Sequence, residues 1–312
     1  MTKISLNNLR KAIKTAEANR LKLQLPFRPE SPKLDKSRKA AESAISKWMT
    51  ASGLDLNRLQ TMHEQRDAEL LRLAAAHKKE ALRLAAQQKK LKISTQSDAL
   101  AALAGNGFFP NPTFTLDTPF LIWSTPLMAI ESSAAPFSSW AKFKYLTSQT
   151  SGTQKVSFYF YWLNQFTDYA VINATTYLSA SGYLRAHAPW GLSVNTSEVD
   201  TWAGLGLWFG TFGDLNYEDY VADFFGITGA YGSFFTGGDV ESKTVSFGST
   251  LSRTMFAVPP GNLVIFEVAV GIDYDNESGN IEADFQSGSF QIACPLVIFS
   301  LLNSPPGGPV SA

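Results

Sequence analysis

The sequence predicts an α+β protein whose two kinds of element are segregated by domain: an N-terminal helical, coiled-coil-like arm precedes an all-β antiparallel sandwich, with a jelly roll as the favoured topology. Three observations lead to this prediction. Residues 1–93 hold 21 of the 27 Lys and Arg and 9 of the 27 Asp and Glu, so they carry +12 and residues 94–312 carry −12. Of 22 Phe, 10 Tyr and 7 Trp, only Phe27 and Trp48 precede residue 94. The hydrophobic period then changes from 3.6 to 2.

Composition shifts and turn residues place the boundaries between the parts of the chain. The predicted parts are a basic helical arm with a proline linker (1–53), a long helix with an internal repeat (54–93), a linker (94–107), the β-sandwich (108–303) and a flexible tail (304–312). Within the arm, apolar residues at helical spacing predict amphipathic helices over 6–24 and about 36–51. Prolines 26, 29 and 32 separate the two helices, because proline lacks an N–H and restrains the preceding residue.

An 11-residue repeat marks the long helix: Glu69–Lys79 (ELLRLAAAHKK) is followed by Glu80–Lys90 (EALRLAAQQKK), identical at 8 of 11 positions. Eleven residues over three turns keep equivalent side chains on one face of a nearly straight helix. A helix of about 38 residues is too long to be buried by its own chain alone, so association with copies of itself is expected. The predicted oligomerisation residues are Leu59, Leu70, Leu73, Leu84 and Leu91.

The lysine pairs of this repeat have two interpretations. They are either an ordinary solvated helix face, which is favoured, or a set of phosphate contacts for sequence-independent nucleic-acid binding. The residues concerned are Lys78, Lys79, Lys89 and Lys90.

The second part of the chain alternates apolar and polar residues, which predicts eight to ten antiparallel strands and no helix. Examples are 155–163, 170–180 and 264–272. The polar turn at 276–280 is expected to close a hairpin, and the return strand to shift register near Gly288. Further strands are expected at 119–124, 140–147, 204–212 and 243–257.

Segment 189–240 is rich in glycine and aromatic residues and contains no Lys or Arg. Its aromatic side chains either fill the sandwich core or form a surface that stacks on sugars or contacts another subunit. Because Trp202 and Trp208 flank the glycine-rich stretch 203–207, at least one of the two is expected to be accessible at the surface. The candidate ligand or interface residues are Trp190, Trp202, Trp208, Tyr217, Tyr220 and Tyr231.

Catalytic and metal-binding patterns are weak in this sequence. His187 lacks a nucleophile motif around it, and Cys294, the single cysteine, lies in an apolar strand that disfavours a thiolate. The acidic turn containing Asp273, Asp275 and Glu277 departs from a calcium loop, so a solvated turn is favoured over a metal site. No cofactor and no enzyme activity are therefore predicted, and a glycosidase pair among residues 214–223 (Asp214, Glu218, Asp219 and Asp223) is kept as a third possibility.

No apolar run approaches the roughly 20 residues that span a bilayer, and no signal peptide is evident, so a cytoplasmic protein or a component of an assembled particle is expected. In organisation alone, the basic arm joined to an all-β domain resembles jelly-roll coat proteins of small viruses and, equally, trimeric fibre proteins with a helical stalk. The leading hypothesis is a non-enzymatic, self-assembling structural or adhesive protein, a homo-oligomer whose β head binds a glycan or another protein surface. The alternative is a coat protein whose basic arm neutralises nucleic acid.

Overall fold

The computed structural model describes residues 5–23, 32–90, 113–149, 151–211 and 214–302. Three helices come first: α1 (Leu6–Leu23), α2 (Pro32–Ala51) and α3 (Leu56–Lys90). Their bounds lie within a few residues of those expected from the apolar periodicity. Asp55 caps α3, since its carboxylate accepts a hydrogen bond from the Arg58 N–H at 3.1 Å. The predicted linker at 94–107 and the tail at 304–312 lie outside the described residues.

Twelve strands follow in the described part of the chain, and they form two antiparallel sheets packed face to face as a β-sandwich. Sheet I contains β1 (Thr113–Leu116), β3 (Ile130–Ser133), β4 (Trp140–Thr147), β6 (Ala170–Ala188), β9 (Asp239–Val258), β11 (Asn280–Asp284) and β12 (Gln291–Leu301). Sheet II contains β2 (Leu121–Ser124), β5 (Ser151–Leu163), β7 (Asn195–Thr211), β8 (Asp214–Gly232) and β10 (Leu263–Glu277).

The strand order follows from the pairing. In sheet I, β6 lies between β9 and the return segment β11–β12, and β1 and β4 pair with the other side of that segment. In sheet II the order is β2-β5-β10-β7-β8. The alternating pattern buries one face of each strand between the sheets, where Phe158, Phe160 and Phe266 pack with Phe285 and Phe299 in one continuous core.

Helix α1 covers part of the outer face of sheet II. Leu9 and Ile13, one turn apart, are fully buried against Tyr159, Trp208 and Ile265, which point away from the main core. Burial of each such aliphatic side chain contributes about 1.5–3 kcal/mol relative to its exposed state. The N-terminal helix is therefore held by the sandwich of its own chain.

Helix α3 lies on the outer face of sheet I. Ala74 and Ala81 are buried, and Ala81 packs against Tyr183 and Phe290. The hydroxyl of Tyr183 donates a hydrogen bond to the Ala74 carbonyl at 3.0 Å. The expectation that α3 needs another copy to bury an apolar face is thus wrong for its alanine side, which the sandwich covers.

Two details of the β region differ from the sequence-based expectations. The turn after Glu277 does not close a hairpin, because β10 belongs to sheet II and β11 to sheet I, so the chain crosses between the sheets there. The sequence pattern also does not predict the short strands β1 and β3 or the long strand β8, whose pairing with β7 is interrupted by two register shifts that break the two-residue period. The expected interruption of the return strand is confirmed: β11 ends at Asp284, β12 begins at Gln291, and Gly288 between them has a φ of 58°.

Candidate functional site

Beneath α1, a cluster of charged side chains is buried on the outer face of sheet II. Lys155 of β5 lies between the carboxylates of Glu17 and Glu267, with its Nζ 2.9 Å from Glu17 Oε1 and in direct contact with Glu267 Oε1. The hydroxyl of Tyr159 donates to Glu17 Oε1 at 2.6 Å. Arg20, one turn after Glu17 on α1, completes the cluster with its guanidinium 3.6 Å from both carboxylates. These contacts fix the position of α1 on the sheet.

The two carboxylates of this cluster differ in acidity. Burial raises the pKa of Glu17, the charge of Glu267 raises it further, and Lys155 only partly opposes them. Burial also acts to raise the pKa of Glu267, but the charges of Lys155 and Arg20 outweigh it and keep this pKa below its usual value. Glu267 therefore holds the negative charge more firmly, and Glu17 is the carboxylate that takes up a proton first on acidification.

A cleft of about 250 Å³ opens beside this cluster, at the point where α1 ends. Its floor and walls combine charged, hydroxyl and aromatic groups from α1, β5, β7, β8 and β10. Among its lining residues are Arg20, Thr153, Trp202, Phe224 and Asp273. Such a lining offers both hydrogen-bonding groups and an aromatic surface, which is the composition of a binding cleft.

The structure places the predicted aromatic residues at different sites. Trp202 and Trp208 are buried, with 6 % and 3 % of their surface exposed, so the expectation that one of them is accessible is wrong. Trp208 donates through its Nε1 to Glu267 Oε2 at 3.0 Å and packs edge-on against Tyr217. Trp202 lies over Gly271, where a Cβ would be 2.1 Å from the indole ring. The absence of a Cβ at Gly271 thus permits close approach of the indole ring.

The remaining aromatic candidates do not form one site with these two. Trp190 stacks on His63 of α3 with ring centroids 5.0 Å apart, next to the tip of the β8–β9 connection. Tyr231 is exposed on β8. Tyr220 lies in β8, and its side chain is outside the described residues.

The acidic candidates do not converge either. Asp273, Asp275 and Glu277 follow one another at alternate positions of the extended strand β10, about 7 Å apart, so they do not wrap around a common point as a calcium loop does. Within the described residues, no group of three potential ligands could hold a metal ion. Asp214 and Asp223 are nine positions apart on β8, roughly 30 Å, which is too far for a glycosidase pair; the side chains of Glu218 and Asp219 are outside the described residues.

The predicted nucleic-acid-binding lysines of α3 do not share one environment. Lys78 is held inside the structure: its Nζ donates to Glu282 at 2.7 Å and contacts Asp284, both on β11. It is therefore an anchor between α3 and sheet I and is not available to phosphates, which corrects the nucleic-acid interpretation at this residue. Lys79 is exposed, whereas the side chains of Lys89 and Lys90 lie outside the described part.

All three histidines of the chain lie along this α3 interface: His63 and His77 on the helix, and His187 on β6. Burial lowers the pKa of His187; Arg185 lowers it further, whereas Asp67 and Asp239 act to raise it. Burial would raise the pKa values of Glu282 and Asp284, but hydrogen bonds from Lys78 outweigh this and lower them.

These shifts predict that acid destabilises the folded protein. A group with a lowered pKa binds fewer protons in the folded state than in the unfolded chain, so stability falls as pH falls. For His187 the loss begins below its ordinary value of 6.5, and for Glu282 it begins below 4.5. Denaturant unfolding across pH 7.5 to 4 measures this, and His187→Gln should reduce the loss between pH 6.5 and 5 while keeping the loss below 4.5. An unchanged slope in that variant would contradict the assignment to His187.

The outer face of α3 carries the predicted oligomerisation leucines. Leu73 and Leu84 are about half exposed, and Met62, another 11 residues earlier, is equally exposed, with fractions from 46 to 57 %. Leu59 and Leu70 are half-buried on the helix flank, and Leu91 lies outside the described residues. Next to the two leucines, the repeat places equivalent ion pairs, Glu69 with Arg72 and Glu80 with Arg83.

Comparisons with known proteins give no assignment. No protein-family model matches the chain, and no curated protein matches it. Among solved structures, the carbohydrate-binding module TmCBM61 with bound β-1,4-galactotriose has a TM-score of 0.20 at 9 % identity, covering 63 % of this chain and 92 % of that one. An enzymatically active domain of tailspike protein 4 from bacteriophage CBA120 has a TM-score of 0.19 at 7 % identity, covering 62 % and 20 %. The Eiger TNF protein of S. frugiperda has a TM-score of 0.19 at 9 % identity, covering 64 % and 97 %. Scores this low carry no argument about fold or function.

None of the helices in the described ranges is long and apolar enough to cross a membrane.

Proposed function

We propose that this chain is a non-enzymatic structural protein that assembles with copies of itself through the outer face of α3, and that its β-sandwich presents a binding or packing surface. The observation that carries the proposal is the exposed row of Met62, Leu73 and Leu84. Three large apolar side chains repeated on the solvent face of one helix expose surface that association would remove from water.

The partner that fits this row is the same row of a second copy. At 100° per residue, an 11-residue step returns to within 20° of its starting direction, so the row runs nearly straight along α3. The pairs Glu69–Arg72 and Glu80–Arg83 lie at equivalent places in the two repeats. Two antiparallel copies would therefore bring apolar residues together along the seam and place charges of opposite sign at its rim.

The strand order supports a jelly-roll topology for the sandwich. Counting the eight principal strands in chain order, with β4 first and β11–β12 together as the eighth, gives 1-8-3-6 in sheet I and 2-7-4-5 in sheet II. Two interleaved Greek keys of this order define a jelly roll, a fold of viral coat proteins and of lectins. This order, with the basic arm, favours a coat protein as the second candidate function, and the open cleft beside Trp202 favours a glycan- or protein-binding head.

The assembly proposal predicts the effect of Leu73→Asp combined with Leu84→Asp. Both side chains are half exposed in the single chain, so the double variant should keep its β-sheet circular dichroism and unfold within about 1 kcal/mol of the parent. Its particle mass by light scattering should fall to that of a lower oligomer. Electron microscopy of the parent separates closed shells, expected of a coat protein, from small oligomers.

The matched control is Leu9→Asp, which places the same charge in the buried contact of α1. It should lower the free energy of unfolding by several kcal/mol. An unchanged particle mass in the α3 variant, at concentrations where the parent associates, would refute assembly through α3. A parent that is monomeric at all concentrations would refute it as well.

A further inference from the structure

Part of the outer face of sheet II is not covered by α1. Along the edge strand β8, Phe224, Ile227 and Tyr231 point outward in one row and are 70, 55 and 49 % exposed. The row begins at the cleft where α1 ends, so it continues the surface on which α1 itself docks. Single exposed apolar residues are common on protein surfaces, but three large ones on the same face of one strand indicate a contact surface.

Carboxylates lie beside this apolar row, on the strands nearer the middle of sheet II. On β7 and β10, Glu198 is directly opposite Asp275, and Asp200 is directly opposite Asp273, all on the outer face. Like charges in directly opposed positions destabilise a sheet unless cations compensate them. Burial raises the pKa of Asp200, and the charges of Glu198 and Asp273 raise it further. The surface is therefore apolar at the edge strand and strongly acidic beside it.

The free edge of β8 is closed to an added strand near the tip of the sheet. The N–H of Gly229 donates to Glu241, and that of Tyr231 donates to Asp239, at 2.8 and 3.2 Å. Carboxylates on an edge disfavour pairing with another strand. A partner on this surface consequently has to pack on the side chains of the sheet face, and it has to be basic.

The chain contains a helix with the complementary pattern. On α2, Lys36 and Lys47 are 11 residues apart, which puts both on the same exposed face, and the neighbouring Trp48 is 66 % exposed. The opposite side of α2 is held by its own chain, where Met49 is buried and Ser193 donates to Glu42 at 2.8 Å. From Lys36 to Trp48 the helix spans about 18 Å, and the row from Phe224 to Tyr231 spans about 23 Å.

We propose that α2 of a second copy docks on this half of sheet II, which the described residues leave uncovered, with Trp48 against the Phe224–Ile227 row and Lys36 and Lys47 against the carboxylates of β7 and β10. The inference rests on the proposed self-assembly and adds a second contact to it. Because each copy carries both surfaces, repeating this contact in one direction would link dimers joined through α3 into larger rings or filaments.

Charge reversal on each side tests the docking. Lys36→Glu with Lys47→Glu, and separately Glu198→Lys with Asp275→Lys, change only exposed residues. Each double variant alone should weaken association beyond the α3 dimer at least about tenfold in sedimentation experiments, and the contact in the parent should weaken with added salt. A mixture of the two variants should restore association, because each then meets the opposite charge. A misfolded variant would not recover on mixing.

The matched control is Lys11→Glu with Lys14→Glu, which makes the same change of net charge at exposed positions on α1 and should leave association unchanged. Association that survives either reversal, or that the mixture does not restore, would overturn the docking proposal. Loss of association in the Leu73→Asp, Leu84→Asp variant reports on the α3 contact instead, so failure of the dimer and failure of this contact give different results. Binding of an oligosaccharide to the Phe224–Tyr231 row and the carboxylates beside it would identify a glycan as the occupant, provided that Lys36→Glu with Lys47→Glu leaves this binding unchanged. That result would overturn the proposal.

Discussion

Replacing Lys155 with Met is expected to destabilise the folded protein by about 3–5 kcal/mol, because two buried carboxylates lose the cation between them. Glu17 and Glu267 are both buried, and Lys155 Nζ contacts an oxygen of each. Methionine keeps an unbranched side chain out to the Cε position and lacks only the charged terminal atom, so the loss measures mainly the charge. Chemical denaturation at pH 7 gives the difference in unfolding free energy, and the loss of α1 from the sheet should accompany it.

Two variants decide whether charge is the cause. Lys243→Met changes an exposed lysine on β9 and should alter stability by less than about 0.5 kcal/mol. Adding Glu17→Gln to Lys155→Met removes one of the two carboxylates that have lost Lys155 and should recover part of the loss. The defect should also shrink at pH 5, because burial raises the pKa of Glu17 and a proton then replaces the missing cation. A loss that is the same at both pH values and with Glu17→Gln would indicate a packing defect.

The local elements of this protein could be predicted from the sequence because each has a regular apolar period. The three helices and nine of the twelve strands of the described region follow from spacing alone. The short strands β1 and β3 offer too few residues for a period, and the irregular pairing of β7 with β8 hides the period of β8. Periodicity is therefore informative only where a strand is long and evenly paired.

The placement of the helices could not be predicted from composition. The charges of +12 and −12 suggested two separate domains, yet part of that difference is neutralised within the fold, where Lys78 pairs with Glu282 and Asp284. The sequence does not distinguish a lysine that is paired in the fold from one exposed to solvent. It also does not mark small residues such as Ala74 and Ala81 as the ones that pack against the sheet. Such pairings join residues about 200 positions apart, so no local pattern reveals them.

Glycine content was misleading for the two tryptophans. Glycines beside Trp202 and Trp208 suggested a flexible backbone, whereas Gly271 is directly opposite Trp202 and leaves room for its ring. An indole that lies flat on a strand needs a residue without a Cβ beneath it. Gly271 thus indicates close packing of Trp202 on the neighbouring strand.

Truncation of Trp208 to Ala is accordingly expected to cost about 3–5 kcal/mol of folding stability, the range for removal of a buried aromatic side chain. The indole fills the space between α1 and sheet II, and its N–H is a donor to the buried Glu267. Trp48→Ala is the matched control when both variants are compared below the concentration at which the chain assembles, since Trp48 is 66 % exposed in the single chain, and it should change stability by no more than about 0.5 kcal/mol. Below that concentration, the acrylamide-quenchable part of the tryptophan fluorescence should fall in Trp48→Ala and stay unchanged in Trp208→Ala. A loss below about 1 kcal/mol together with quenchable Trp208 fluorescence would mean that α1 does not cover this part of the sheet in solution, which would in turn make the surface beneath α1 available to a partner.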